Sequence, residues 1–344
     1  MTLGVYPKVS LAQAHAEHSK ARGLLEQGID PGKVDQTEKS ELRSAPTISM
    51  LVDEYMEKWA KPRKRAWEYD ERILQKDVVP RWGDRKARDI TRRDVIELLD
   101  EIVDRGAPIM ANATFAVIRK MFIFAVGRSL LDTTPCVAIP APAPKKRRDR
   151  VLSGDEVRIF WEKLNQVGIE ENICLALKFQ LVTAQRKGEI VKSEWVEFDF
   201  SEGWWTIPSE RSKNGLPHRV PLSPQAIELL DRIKIVAGDS KWLFPSTRTK
   251  KHVLTTSVDH AIKKRHTKMG LSHFTPHDLR RTAATNMTSR GIPRLVVSKI
   301  LNHVETGVTA VYDRHSYDGE KRQALELWGQ RLDEIILGDL RKVG

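Results

Sequence analysis

Apolar residues recur at helical spacing along most of this chain. Over residues 47–130, Ile48, Leu51, Val52 and Tyr55 share one helical face. Thr91 stands where it can cap a helix carrying Val95, Ile96, Leu98, Leu99 and Ile102, and Phe115, Ile118, Phe122 and Ala125 continue the period. This stretch predicts a bundle of about four helices. Farther on, Ser153-Gly-Asp-Glu156 is a capping box, and residues 172–183 read as a largely buried helix. The period then changes. Trp195–Phe200, Gly203–Ile207 and Arg219–Leu222 look like strands, the last after a turn at Asn214-Gly215. Helical spacing returns near 224–236, 256–268, 277–290, 294–302 and 319–336. The fold class is therefore mainly α with a small antiparallel β-sheet.

Two breaks divide the pattern. Asp30-Pro31-Gly32 and the polar run through Ser44 interrupt the first helix. Residues 140–150 read PAPAPKKRRDR, where alternating prolines resist both helix and sheet ladders. That segment is expected to be an extended, exposed linker presenting Lys145, Lys146, Arg147, Arg148 and Arg150. A solvated linker needs no more than this. In a protein that grips DNA, the same run would strap phosphates.

Composition adds a polyanionic partner. With 58 Lys and Arg against 46 Asp and Glu, the net charge is +12, which favours nucleic acid over an acidic membrane surface. A second basic cluster, Lys61, Arg63, Lys64 and Arg65, falls between two of the expected helices. The two cysteines, Cys136 and Cys174, form no CxxC pair, which argues against a disulfide framework and suits a reducing cytoplasm. No signal peptide is evident after Met1, and no run approaches about 18 uninterrupted apolar residues.

Several polar groups interrupt apolar patterns. Arg186 follows a buried helix, and Glu189 lies one helical turn on, a spacing that suits a structural ion pair. His277 and Arg280 share one face at a helix start, where Asp278 and Arg281 could equally form a surface array. Leu301-Asn-His303 ends a helix, Tyr312 follows nine positions later, and Lys213 sits beside the Asn214-Gly215 turn. Singly, each has an ordinary capping, packing or surface explanation.

In this order they resemble the tyrosine recombinase (phage integrase) family. The segments TAQRKGE, RSKNGLPHRVPLS, TPHDLRRTAAT and LNHVETGVTAVYDRH carry the resemblance over about 151–335, and YDRHSYDGEKRQALELW resembles the prophage and genomic-island subgroup. The resemblance implies a helical core-binding domain followed by a tyrosine-recombinase catalytic domain. Its boundaries would be 1–45 for the remnant of an arm-site-binding domain, 46–135 for the core-binding domain, 136–150 for the linker and 151–344 for the catalytic domain.

The resemblance also implies roles. Arg186 and Arg280 would clamp the scissile phosphate, with His303 adding a hydrogen bond. Tyr312 would attack to give a 3′-phosphotyrosyl bond, Lys213 would protonate the leaving 5′ oxygen, and His277 would act as base. Glu189 would orient its neighbours. No metal, ATP or other cofactor is implied. Tyr317, five residues after Tyr312, is the rival nucleophile, although it better suits the start of the final helix.

Implied partners are double-stranded DNA attachment sites and further copies of the chain, four on two sites, with an excisionase and a host DNA-bending protein as accessories. The setting would be cytoplasmic and nucleoid-associated, with no membrane. The first residues, LGVYPKVSLAQAHAEHSKARGLLEQGIDP, resemble the last strand and helix of an arm-site domain without its preceding strands, so arm-site binding is expected to be weak and core-site binding intact. On the final helix, Ala324, Leu325, Leu327, Trp328, Leu332, Ile335 and Ile336 form an apolar stripe. It fits packing within the chain, or against a neighbouring protomer, which the resemblance favours. Two rivals share the chemistry or the fold: a catalytically idle DNA-binding protein and a type IB topoisomerase.

Overall fold

The computed structural model describes residues 5–34, 36, 45–144, 149–303 and 315–338. It divides into two compact units, Met1–Arg147 and Arg148–Gly344. Each has its own apolar core.

In the first unit, α1 (Leu11–Glu26) is opened by a Ser10–Gln13 capping box and buries none of its residues. The core lies farther on, among α2 (Ile48–Tyr55), α3 (Trp67–Ile73), α4 (Arg92–Asp104) and α5 (Pro108–Gly127). Thr91 and Asp94 close a reciprocal capping box on α4, which buries Val95, Leu98, Leu99 and Ile102. By length and hydropathy alone α5 could cross a membrane. Arg119 and Lys120 interrupt it, and it buries Phe115, Ile118, Met121 and Phe122 in the core of this unit.

The second unit is built around α7 (Glu171–Thr183), in which nearly every side chain is buried, as expected of a helix covered on several sides. Packed against it are α9 (Pro224–Ala237), α10 (Thr255–Arg265), α11 (Pro276–Ser289) and α13 (Asp318–Leu337), with α6 (Gly154–Lys163) on α13. Two short helices, α8 (Lys187–Val191) and α12 (Arg294–Ile300), carry the chain to and from the site described below. Strands β1 (Phe198–Asp199), β2 (Trp204–Ile207) and β3 (His218–Pro221) form an antiparallel sheet in that order, with Trp205 opposite Phe198 on one side and Val220 on the other. Phe179 of α7 meets the ring of Trp205 at 5.7 Å and so joins sheet to helices.

One expectation changes. Only Phe198–Asp199 of the first expected strand pairs, because Trp195–Glu197 turns as a 3₁₀ helix, its Trp195 N–H donating 3.1 Å to the Lys241 carbonyl. On the final helix, Ala324, Leu325, Trp328, Leu332 and Ile335 lie in the core of this unit, while Leu327 is 42% exposed. Trp328 adds a hydrogen bond of 2.9 Å from its Nε1–H to the Leu181 carbonyl at the end of α7.

Trp328→Ala should therefore destabilise the isolated protein by about 3–5 kcal/mol in denaturant unfolding, whereas Leu327→Ala should change it by about 0.5 kcal/mol or less. Equal, small effects would mean that the stripe is not part of this core.

Candidate active site

The site is assembled where two helices end. Helix α12 closes with a Schellman turn: the Asn302 N–H donates to the Lys299 carbonyl at 3.0 Å and the His303 N–H to the Ser298 carbonyl at 3.1 Å. That turn needs a left-handed residue, and Asn302 supplies it at φ 48°. Helix α7 ends similarly, on Ala184 at φ 57°. These turns leave carbonyls at the negative ends of both helix dipoles without intrahelical partners, a natural seat for cations.

Side chains from distant segments fill those seats. The Ile300 carbonyl accepts from Gln185 Nε2 and from His218 Nε2, both at 3.0 Å. Arg280, on α11, donates through Nη1 to the Ala184 carbonyl at 2.8 Å and through Nη2 to the Leu301 carbonyl. Arg186 donates through Nη2 to the Asn302 carbonyl at 3.1 Å, and through Nη1 to Glu189 at 2.9 Å. Glu189 also accepts from the Arg186 backbone N–H at 3.0 Å, so one buried carboxylate fixes both the main chain and the guanidinium. Each guanidinium has five N–H donors and gives two of them to these protein acceptors.

The electrostatics follow from this packing. Arg280 is 2% exposed, and burial together with the adjacent Arg186 lowers its pKa from 12.5 to about 9, so it is charged at neutral pH; Glu189 acts in the opposite sense. His277 and His303 both reach the surface. Protein packed around the His277 ring, then Arg281, Arg280 and Arg186, lower its pKa below 6.5 against the opposing Asp278. His303 is lowered by burial, then Arg280, Arg186, His277 and Lys213. Both imidazoles are therefore neutral near pH 7. Lys213 is exposed on the β2–β3 hairpin, close enough to act on His303. With three cations, one carboxylate and two neutral imidazoles, the cluster carries about two positive charges and several directed donors, an arrangement suited to an anionic tetrahedral group. Among the described residues, no three His, Cys, Asp or Glu side chains group to hold a metal ion.

On α11 the two spacings separate. Asp278 completes the capping box with Thr275 and pairs outward with Arg281, while Arg280 turns inward. Thus Arg186, Glu189, Lys213, His277, Arg280 and His303 come together, and Tyr312 lies outside the described residues. Tyr317 stands at the start of α13, its ring beside His315 at a centroid distance of 4.6 Å and under Lys299 at 4.9 Å. Sequence reasoning missed Asn302, Gln185 and His218. A sequence signal existed for Asn302 alone, an asparagine directly after a helical pattern.

The other basic candidates are partly occupied. In the first unit Lys61 pairs with Glu57, Arg63 donates to the Lys58 carbonyl at 2.9 Å, and Lys64 reaches the buried Asp70 at 2.7 Å. Arg65 is exposed next to them and has a partner of its own. Arg150 grips Glu156 with both terminal nitrogens, whereas Lys145, Lys146, Arg147 and Arg148 lie outside the described residues.

Three stretches of the chain match known families: residues 1–38 an arm DNA-binding domain, 49–140 the phage integrase central domain, and 150–318 the phage integrase family. The prophage integrase IntZ of Escherichia coli K12 is 30% identical over 98% of this chain and 84% of its own length. A lambda integrase dimer bound to a COC′ core site aligns at a TM-score of 0.65 and 21% identity, covering 89% of this chain and 87% of that one. A lambda integrase tetramer bound to a Holliday junction aligns at 0.65 and 20% identity, covering 86% and 88%.

An NMR titration tests the electrostatics. The His277 and His303 rings should titrate below pH 6.5, and Arg186→Ala should move both midpoints upward, because it removes a repelling cation from each. Midpoints at 6.5 that ignore the substitution would contradict the clustering.

Proposed function

This chain belongs to the phage integrase family of site-specific tyrosine recombinases, and from that premise we propose that Tyr312 cleaves and rejoins DNA to integrate or excise a mobile element. The observation that carries the mechanism is the seating of Arg186 and Arg280 on adjacent carbonyls, with His277, His303 and Lys213 around them. As a tyrosyl oxygen attacks phosphorus, negative charge grows on the non-bridging oxygens. Fixed guanidiniums stabilise that charge without reorganising.

Each group then has one task. The Tyr312 oxygen bonds to phosphorus, the bond to the 5′ oxygen breaks, and the electron pair leaves with that oxygen. His277, neutral at physiological pH, takes the tyrosyl proton, and Lys213 gives a proton to the 5′ oxygen. His303 donates a hydrogen bond to a non-bridging oxygen. A free 5′ hydroxyl attacking the phosphotyrosine reverses these steps and joins the new strand. The bond energy is conserved in the covalent intermediate.

The first unit from residue 46 to 135 serves as the core-site DNA-binding domain. Lys61, Arg63, Lys64, Arg65 and the basic linker, Lys145, Lys146, Arg147, Arg148 and Arg150, supply phosphate contacts. Ion pairing within the protein restricts what Lys64 and Arg150 offer until DNA competes for them. Residues 1–45 form an arm-site element whose arm-site binding is weak. By likeness to the junction-bound lambda tetramer, four copies act together on two sites, and an excisionase and a host DNA-bending protein are the proposed accessory partners. The protein works in the cytoplasm, at the nucleoid.

The test uses fragmented DNA of the element and its host, carrying nicks that trap cleavage, incubated without metal or ATP. Denatured adducts are recovered and their DNA sequenced, with Tyr312→Phe and Tyr317→Phe in parallel. Adducts at one recurring sequence, lost only with Tyr312→Phe, are expected. Loss only with Tyr317→Phe would move the nucleophile, and relaxation of supercoils without site preference would favour a topoisomerase. Tight binding with no adduct would leave a DNA-binding protein without chemistry.

A further inference from the structure

The tip of the β2–β3 hairpin is tied to the end of α12 by the Asn302 side chain. Asn302 Nδ2 donates to Ser212 Oγ at 2.9 Å, and its Oδ1 accepts from Asn214 Nδ2 at 2.6 Å. Those two partners flank Lys213 on either side. They are also bonded to each other, Ser212 Oγ donating to Asn214 Oδ1 at 2.7 Å, so the three side chains close a ring around the base of the lysine. The same oxygen of Asn214 accepts the Leu216 N–H at 3.2 Å, and Gly215, at φ 75°, completes the turn. Asn302's own carbonyl holds Arg186, and His303 is the next residue.

Arg211 and His218 hold the two sides of the hairpin, through the Glu189 carbonyl at 3.1 Å and the Ile300 carbonyl at 3.0 Å, but the tip that carries Lys213 is exposed. Lys213, Gly215, Leu216 and Pro217 are all exposed, and Ser212 is the buried anchor among them. A lysine side chain has several free rotors and delivers its proton only where its backbone is held. We propose that Asn302 is a positioning residue that docks the lysine hairpin against the arginine pair, so that the leaving-group acid and the phosphate clamp are held by one residue. Its backbone carbonyl holds Arg186, and its side chain holds both neighbours of Lys213. The inference rests on the reading of Lys213 as the acid that protonates the 5′ oxygen.

Asn302→Gly isolates the side chain. Glycine adopts positive φ readily, so the Schellman turn and the carbonyl that receives Arg186 are retained. The readout is single-turnover cleavage of a nicked duplex carrying the sequence recovered from the covalent adducts, made in two forms. One has the natural 5′ oxygen at the scissile phosphate, and the other has sulfur in that bridging position. The oxygen must be protonated as the bond to phosphorus breaks. The sulfur departs as a thiolate and needs no acid.

Asn302→Gly should slow the oxygen substrate roughly tenfold, as expected for two lost hydrogen bonds, and should cleave the sulfur substrate within about twofold of the unsubstituted protein. Lys213→Ala should show the same selectivity with a larger deficit, on the order of 10²–10⁴ on oxygen. If sulfur fails to rescue Lys213→Ala, the lysine is not the acid and the parent reading falls. If sulfur rescues Lys213→Ala, but Asn302→Gly is as fast as the unsubstituted protein on oxygen or equally slow on both substrates, Asn302 does not position the acid. Faster cleavage of oxygen by Asn302→Gly would mean that the tie restrains the lysine, which also overturns the inference.

Discussion

The site depends on what happens to the carbonyls at the ends of α7 and α12. A helix must leave its last carbonyls unsatisfied, and burying them without partners is costly. Here the partners are side chains brought from far along the chain: Arg280 on Ala184 and Leu301, Arg186 on Asn302, and Gln185 with His218 on Ile300. One arrangement meets two needs. The helix ends are satisfied, and two guanidiniums are held close together, with burial first and then the charge of Arg186 depressing the pKa of Arg280. Substrate charge then meets donors whose orientation was fixed when the protein folded.

The same logic explains how the buried polar groups of the site are accommodated. Glu189 is almost fully buried, but it accepts from both the Arg186 backbone and guanidinium, so its charge is compensated. His218 is buried against the Ile300 carbonyl, and burial with nearby Lys321 lowers its pKa to about 3. It is a neutral prop under the site. The two histidines at the surface are lowered as well, by burial and by the neighbouring cations.

Much of this was legible in the sequence, for a physical reason. Capping boxes at Ser153 and Thr91 and the apolar faces of α2, α4 and α5 are local signals, and local signals survive in one dimension. The candidate set could be singled out because unlike residues stand in a fixed order that matches a family. What held them was not, since Gln185 and the Ile300 carbonyl are 115 positions apart and backbone acceptors leave no mark in composition. Trp195–Glu197 looked like strand because aromatic and β-branched residues alternate there, but a backbone bond to Lys241 won. The stripe on α13 was correctly apolar. Periodicity shows that a face is buried, not which chain buries it.

The central claim is that Arg186 and Arg280 act by opposing charge on the non-bridging oxygens. The most direct measurement compares cleavage of a normal scissile phosphate with a methylphosphonate, in which one of those oxygens is a neutral methyl group. On the phosphate, Arg186→Ala and Arg280→Ala should each lose on the order of 10²–10³ in rate, and on the methylphosphonate most of that loss should disappear. Equal losses on both substrates would mean that the arginines hold the fold or the DNA and do not neutralise the reacting phosphate.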